Sequence, residues 1–381
     1  MENKQGTPSI ECMLGWVKET QDVQSAWRAE SWEDCAFRDG AQWTQSAIDE
    51  LKKKEINALT VNRIFPVVNL ILGSQSSNQK SIVAKARTQM DSEISQTFTE
   101  GIQFVLDQNG GKGLINDAFH DQIVPGFGCL EVGHNSDPRR EKIGVFQRDW
   151  KTMWWDSFAS PWMDSSRCRF VFHQEWTDLR DLVSLFPEKE SELIDQFHQF
   201  TSSYDQSGGF GTDAADEVED SKKLTQGSDW ANGKRKRVKP VEMWYTAYEQ
   251  GLYAMFPDGR CIEIDKNSPP NQQYNLVSSA QQVVSAKVKK MRVRSFLGRL
   301  VLQDVPSPYG HDEFPFVPFL GYLDRFKFPF GVPRQIKEQD MEVNKRRSMA
   351  LALLSSRRVI MEEGTADDPQ AVYEEANRMD G

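Results

Sequence analysis

The fold class is decided by four short segments that follow one another along the chain: GFGCLEVGHN (126–135), IGVFQ (143–147), TMWWD (152–156) and CRFVFHQEW (168–176). Each segment is rich in β-branched and aromatic residues, and turn-forming residues separate it from the next, which is typical of strands. The chain before them has helical periodicity instead. The sequence therefore predicts an α+β protein in which a sheet packs against helices.

Helices are predicted before this sheet. Over residues 12–37, Trp16, Val23 and Trp27 recur at steps of seven and four, which places them on one helical face. Three further helices are predicted, over about 62–73, 92–106 and 113–123.

Beyond the first sheet segments, a polar stretch over about 204–239 predicts a mobile loop. The β pattern resumes in VEMWYTAY (241–248) and LYAMF (252–256), so the loop does not divide two independent domains. A helical stretch is then predicted over about 275–287, followed by the β segment KMRVRSFLGRLVLQD (290–304).

The last predicted helix follows Gly331 and runs to about Arg358. Its apolar residues lie on one face: Ile336, Val343, Ala350 and Leu354. Such a stripe indicates a surface that packs against another element.

Composition excludes several classes of protein. The net charge of −10 and the pI near 5.2 oppose a general nucleic-acid binder, because such proteins hold phosphates with surplus Lys and Arg. No run approaches the ~20 apolar residues that cross a bilayer, and the first residues do not resemble a signal peptide. Five scattered cysteines favour neither a disulfide framework nor a zinc site. We therefore expect a cytosolic product with no membrane segment, cofactor or metal.

Several stretches carry a family resemblance by their order and spacing. They are FRDGAQW (37–43), NRIFPVVNLILG (62–73), FHDQIVPGFGCLEVGHN (119–135), WWDSFASPWMDSSRCRFVFHQEW (154–176), KKMRVRSFLGRLVLQD (289–304), DEFPFVPFLGY (312–322) and GVPRQIKEQDMEVNKRRSMALALL (331–354). In this order they resemble the portal proteins, or head-to-tail connectors, of short-tailed, podovirus-type bacteriophages. The resemblance covers nearly the whole chain.

The resemblance implies a portal fold with an α/β wing, a stem of two helices and a small α/β clip. The expected boundaries are wing 1–274, first stem helix 275–290, clip 291–330, second stem helix 331–358, and the start of a return to the wing over 359–381. Family members of this type usually run much further. Either the remainder is absent from this sequence, or this relative is short.

The resemblance also implies a function. The family forms a ring, a dodecamer, at the portal vertex of the capsid, and double-stranded DNA passes through it during packaging and ejection. The implied partners are the terminase, then tail adaptor or head-completion proteins, with the major capsid and scaffolding proteins around the ring. Assembly is expected in the host cytoplasm, and no enzymatic activity is expected.

A basic run near the predicted clip is the first candidate for partner binding. Arg292 and Arg294 would point to the same side of a strand, with Arg299 close behind them, and the run contains no acidic residue. We expect these three residues to bind a partner protein or DNA; the alternative is a solvated strand face.

The last helix is the second candidate. We expect its charged residues to face the channel or a neighbouring subunit: Arg334, Lys337, Glu338, Glu342, Lys345, Arg346 and Arg347. The mixture of signs suits pairing between neighbours and weak binding of DNA. The alternative is an ordinary amphipathic helix.

A carboxylate pair leaves a second function open. Asp156 and Asp164 flank an aromatic loop and could serve a metal-dependent hydrolase, although structural turns explain such a pair more simply. The glycines around Lys112 miss the phosphate-binding pattern GxxxxGK[ST], so no nucleotide site is predicted. The basic tetrad over 234–237 is interpreted as a solvated part of the loop.

Overall fold

The computed structural model describes residues 7–54, 56–78, 81–86, 91–135, 139–205, 230–233, 235–257, 259–264, 269, 274, 277–355, 368 and 370–372. Its helices are α1 (Ile10–Asp39), α2 (Gln45–Lys53), α3 (Ile64–Ser77), α4 (Ser92–Gln108), α5 (Lys112–Ile123), α6 (Leu179–Leu185), α7 (Glu190–Asp205) and α8 (Pro333–Ser355). A 3₁₀ turn, Pro187–Lys189, joins α6 to α7.

The strands, in chain order, are β1 (Phe127–His134), β2 (Ile143–Arg148), β3 (Met153–Trp155), β4 (Phe170–Gln174), β5 (Thr177–Asp178), β6 (Ala231–Asn232), β7 (Arg237–Val238), β8 (Val241–Met255), β9 (Cys261–Glu263), β10 (Gln282–Leu297), β11 (Leu300–Pro306), β12 (Phe316–Leu320), β13 (Tyr322–Leu323) and β14 (Pro329–Phe330). The mixture of helix and sheet confirms the predicted α+β class.

The long helix α1 has a cap at each end. The Ser9 side chain accepts a hydrogen bond from the Cys12 amide at 3.3 Å, and Gly40 ends the helix with a left-handed φ of 96°. The predicted position of Val23 on the inward face is wrong, because this side chain is 47% exposed. The neighbouring Gln24 is buried instead and donates a hydrogen bond to the carbonyl of Trp155 at 2.9 Å.

An antiparallel six-stranded sheet forms the centre of the protein. Its strand order is β11-β10-β8-β4-β3, and β9 pairs with β8. A second antiparallel sheet has the order β12-β1-β2, so the chain returns to β1 only after completing the larger sheet. Between them lies an aromatic core that Trp27 of α1 joins: Trp27, Phe127, Trp155, Trp244 and Phe316.

The predicted first stem helix over 275–290 is wrong from Gln282 onward, whereas residues 277–279 are helical. Residues Gln282–Leu297 form β10, which pairs with β8 from Gln282↔Met255 to Phe296↔Val241. The local helical propensity of this segment does not determine its structure, because pairing with β8 along the whole length of β10 provides hydrogen bonds for its backbone amides and carbonyls. The predicted boundary between stem and clip at residue 290 therefore falls inside a single strand.

Close backbone approaches fix the start of α8. A Cβ atom added at Gly331 would lie 2.0 Å from the carbonyl oxygen of Val124, and the amide of Val332 donates to the carbonyl of Ile123 at 2.8 Å. Because only glycine fits at this distance, the chain enters α8 directly against the end of α5.

Two predicted segments lie largely outside the described residues. Residues 206–229 and 234 of the predicted mobile loop belong to this group, whereas β6 and β7 form its described end. Of the predicted return to the wing over 359–381, only 368 and 370–372 are described.

Candidate subunit interface on the last helix

The first turns of α8 are held to α1 by ion pairs. Arg334 lies 3.0 Å from Asp34 and 3.3 Å from Glu30, and Lys337 lies 2.8 Å from Glu33 and 3.2 Å from Asp34. The Asp34 side chain is fully buried. Arg334 and Lys337 therefore neutralise acids of their own chain, and their predicted position at the channel or a subunit boundary stays a prediction.

Burial sets the electrostatics of this cluster. Burial raises the pKa of Asp34, although Lys337 and Arg334 oppose that rise. Burial also acts to lower the pKa of Lys337, but the hydrogen bond to Glu33 and the charge of Asp34 outweigh it and raise that pKa. The lysine therefore remains charged at neutral pH and supplies the buried Asp34 with a counter-ion.

The next turns of α8 bury a polar stripe instead of an apolar one. Asp340, Asn344 and Ser348 recur every four residues and are at most 2% exposed. Gln42, at the end of α1, donates to Asp340 at 2.9 Å and accepts from Asn344 at 2.5 Å. We call these four residues the polar ladder.

The polar ladder also binds the backbone of the segment before α3. The amide of Val61 donates to Asn344 at 2.8 Å, and the amide of Leu59 donates to Ser348 at 2.9 Å. The extended backbone before α3 has amides that need hydrogen-bond acceptors, so polar side chains are favoured on the face of α8 that packs against it. The i, i+4 spacing was visible in the sequence, but its partners were not.

Of the predicted apolar stripe of α8, Ile336 packs with Met341 against a buried cluster, whereas Ala350 and Leu354 are exposed. Beyond Ser348 the helix exposes its large apolar side chains, with exposed fractions of 51% for Met349, 51% for Leu351, 64% for Leu353 and 85% for Leu354. A helical segment that is apolar on every side is normally buried. We call residues 349–354 the apolar end of α8.

Neighbouring helices extend the apolar surface of this region. Helix α3 packs against α8 and exposes apolar side chains: Phe65, Val67 and Leu70. The charged residues on the outer side of α8 are exposed too: Glu338, Glu342, Lys345, Arg346 and Arg347. Among them Arg346 and Glu342 form an ion pair one helical turn apart. The surface thus combines an apolar end with charges of both signs.

The structure corrects the expectation of a basic rim at Arg292 and Arg294. Arg294 is 7% exposed; it pairs with Asp304 and donates to the Pro8 carbonyl at 2.7 Å. Arg292 lies 2.7 Å from Glu249 and 3.2 Å from Asp304. The neighbouring strands supply these acids, since Asp304 is the register partner of Arg294. Only Arg299, in the turn before β11, is exposed.

The electrostatics of these pairs favour charged side chains. Burial acts to raise the pKa of Asp304, but hydrogen bonds from Arg294 and Tyr245 outweigh it and lower that pKa. Burial likewise acts to lower the pKa of Arg292, and hydrogen bonds to Glu249 and Tyr245 raise it instead. The arginines therefore stabilise the sheet, and partner binding by Arg292, Arg294 and Arg299 stays a prediction.

Asp156 and Asp164 each have a separate local role. Asp156 is buried and accepts hydrogen bonds from the Arg169 side chain at 2.6 and 2.9 Å. Asp164 accepts from the amide and hydroxyl of Ser166 at 2.9 and 2.7 Å, as in a turn. Among the described residues, no group of three or more His, Cys, Asp or Glu side chains is arranged to hold a metal ion.

Two remaining sequence features also have structural partners. The side chain of Arg237, from the basic tetrad, lies 2.8 Å from Asp178, and Lys234 lies outside the described residues. Gly110 and Gly111 adopt positive φ in the turn between α4 and α5, where glycine is preferred. In the part of the chain that is described, no helix is both long and apolar enough to span a bilayer.

A mixed fold of helix and sheet with an exposed apolar helix end is typical of a protein that packs against another surface. The comparison with family models gives the same class: residues 14–381 match the phage P22-like portal protein model. The chain belongs to this family of phage portal proteins, which are capsid-associated, oligomeric and structural. A search of curated proteins found no match.

Proposed function

We propose that this chain forms a closed ring at the portal vertex, through which double-stranded DNA enters the capsid during packaging and leaves it during ejection. One observation supports the ring most strongly: a portal-family chain exposes the apolar end of α8 while burying the polar ladder of the same helix. Contact with a neighbouring copy would remove this apolar surface from water.

The geometry of the contact must be head-to-tail. A two-fold dimer would bring the same patch of both copies together and stop there, whereas a head-to-tail contact repeats until the ring closes. We propose a dodecamer, by resemblance to the portal family. The major capsid and scaffolding proteins would surround it, and the ring would be built in the host cytoplasm.

Terminase and then a tail adaptor are the proposed partners at the outer end of the ring. The sequence contains no GxxxxGK[ST] phosphate-binding motif, so the energy for packaging is assigned to the terminase. Arg299 is the exposed member of the basic candidates and is therefore the residue of that group that we propose as a direct contact.

Native mass spectrometry and light scattering test the ring. The double variant Leu351→Glu with Leu354→Glu should shift the assembly to smaller species, because charges would enter an apolar contact. Ile194→Glu is the matched control, since Ile194 is exposed on α7 away from this surface. A wild-type chain that remains monomeric or dimeric at concentrations that assemble known portals would refute the proposal.

Weak binding of DNA is the second expectation of a conduit. Each neutralised phosphate adds affinity and steepens the salt dependence, so a strongly basic channel would hold its cargo. The net charge of −10 and the pairing of Arg346 with Glu342 oppose such a grip. Anisotropy with labelled duplex DNA at physiological salt should therefore show weak binding and a shallow salt slope.

The matched variant for that experiment is the triple change Lys345→Ala, Arg346→Ala and Arg347→Ala. We expect it to change DNA affinity little. Tight wild-type binding with a steep salt slope that the triple variant abolishes would contradict this reasoning and make α8 an active DNA clamp.

A further inference from the structure

A cleft lies beside α6, and residues of β4, β8, β10 and β11 contribute to its lining. Its volume is about 470 Å³, and one wall is apolar: Leu182, Leu185, Phe186 and Leu302. Leu185 is 64% exposed at the mouth, so an incoming side chain would meet it first. We call this space the α6 cleft; its size suits a large side chain together with its neighbours.

The lining of the α6 cleft also carries an excess of acid. Two carboxylates, Glu175 and Glu242, line it together with Arg148. That arginine is shared between two carboxylates, since it lies 2.5 Å from Glu131, which is outside the lining, and 3.7 Å from Glu175, so the lining keeps one carboxylate in excess. His173 lies 3.3 Å from Glu175, and this proximity lowers the pKa of that carboxyl, which is therefore ionised at neutral pH. A cationic and apolar occupant fits this combination.

The β13–β14 hairpin has the complementary surface. At its tip, Phe326 is 66% exposed and lies between Arg325 and Lys327, which are both exposed. The Arg325 guanidinium lies over the Phe326 ring at 4.6 Å. Neither cation has an ion-pair partner among the described residues.

The tip is held in one conformation before any contact forms. The Asp324 side chain accepts hydrogen bonds from the amides of Phe326 and Phe328, each at 2.8 Å, and Lys327 has a positive φ of 66°. Trp27 of α1 donates to the carbonyl of Pro329. A segment ordered in this way loses little conformational entropy on binding.

We propose that the β13–β14 hairpin of one subunit inserts Phe326 into the α6 cleft of its neighbour, with Arg325 and Lys327 facing Glu175 and Glu242. This inference rests on the proposed ring. Phe326 would bury its ring against Leu185 and the rest of the apolar wall, while the two cations would meet the acidic residues of the lining.

Both surfaces belong to the same chain but are separated in its structure. The hairpin contributes no residue to the lining of the cleft, and its anchor at Trp27 holds it against α1. Two complementary patches at different places on one molecule produce a head-to-tail contact, which is the type that a ring requires.

Another exposed aromatic loop is less suitable for the cleft and provides a control. Phe158 is 79% exposed and lies near Arg169, but Asp156 already pairs with that arginine. The neighbouring Asp164 adds negative charge to this loop. Phe158→Ala is therefore the matched control for Phe326→Ala, since both changes remove an exposed phenylalanine near an arginine.

The first test measures the concentration at which half of the full chain is assembled. Phe326→Ala should raise this concentration roughly 30-fold, which is the change expected for loss of one buried aromatic anchor. Phe158→Ala should leave it unchanged. Equal behaviour of the two variants would overturn the inference.

A charge exchange tests the partner directly. Arg325→Glu should weaken assembly roughly fivefold, and adding Glu175→Arg to the same chain should restore it, because the pair is re-formed with reversed signs. Glu175 is 56% exposed at its side chain, so this change leaves the core intact, and Glu175→Arg alone measures the cost of a cation beside Arg148. Additive losses without rescue would remove Glu175 as the partner of Arg325.

Crosslinking separates this inference from the ring itself. A benzoylphenylalanine photocrosslinker placed at position 326 of an isotope-labelled chain should attach to residues 182–186 of an unlabelled chain. A wild-type ring with no crosslink to α6 would refute the hairpin contact and leave the ring standing. A crosslink to α6 between two chains, in a protein that never closes a ring, would support the contact and refute the proposed function.

Discussion

The polar ladder permits a graded test of how α8 is held. Asn344→Ala removes two hydrogen bonds, from the Val61 amide and to Gln42, and leaves both partners unsatisfied in a largely buried place. Each such group costs about 1–2 kcal/mol, so we expect a loss of roughly 2–4 kcal/mol of unfolding free energy. Ser348→Ala leaves only the Leu59 amide without its partner, and about 1 kcal/mol should be lost.

Lys345→Ala is the control, because Lys345 is exposed on the same helix; its effect should stay within about 0.5 kcal/mol. Urea unfolding followed by circular dichroism, below the assembly concentration, measures the three values. Hydrogen exchange adds a local readout: the Val61 amide should exchange faster in Asn344→Ala, and the Leu59 amide in Ser348→Ala. Three equal losses, or unchanged exchange at both amides, would show that the polar ladder does not hold α8.

Three further predictions concern stability. Gly15→Ala should raise the unfolding temperature, because this helical position has open space and alanine stabilises a helix by about 0.5–1 kcal/mol relative to glycine. Gly331→Ala should lower the unfolding temperature sharply, because the added Cβ would meet the Val124 carbonyl. Calorimetry of both variants measures the contrast. The pKa of Asp304 is lowered in the folded protein, so its ionised carboxylate stabilises the fold at pH values above its unfolded-state pKa of about 4. This stability is lost as the pH falls through the folded-state pKa. Asp304→Asn should therefore make the stability depend less on pH in acid unfolding curves. Arg294→Glu should destabilise the monomer by roughly 3–5 kcal/mol, because the new, largely buried carboxylate would face Asp304 and leave Arg292 as counter-ion to both acids. Normal urea unfolding of this variant would refute the assigned ion pair.

Local patterns predicted those elements whose stability is mainly local or whose order is typical of the portal family. The helix after Gly331 was expected over 331–358 and is found at Pro333–Ser355. The strand segments around 127–134 and 170–174 were predicted from aromatic and β-branched residues, and both are strands. Helices and strands differ in the period with which side chains return to one face, and this period distinguishes the helix from the strands.

Pairing between distant segments explains where prediction failed. Residues 282–290 were expected in a helix but pair with residues 247–255 of β8, so this choice depends on residues 27 to 43 positions away. Arg292 and Arg294 were expected to be free because their own segment has no acid next to them; Glu249 comes from β8 and Asp304 from the far side of the Gly298 turn. The order of charges along the sequence does not show which oppositely charged residues a neighbouring strand of the sheet places beside them.

The sequence by itself determined the α+β class, the helix after Gly331 and the portal family, because each depends on residue order or on a period within one segment. Only the tertiary structure decided which face of α8 turns inward. Asp340, Asn344 and Ser348 are buried because the end of α1 and the backbone before α3 offer groups that need hydrogen bonds. Which face of a helix is buried depends on the groups that surround the helix. In this chain the polar groups of α1 and of the segment before α3 lie on the inward side of α8 and need polar partners there.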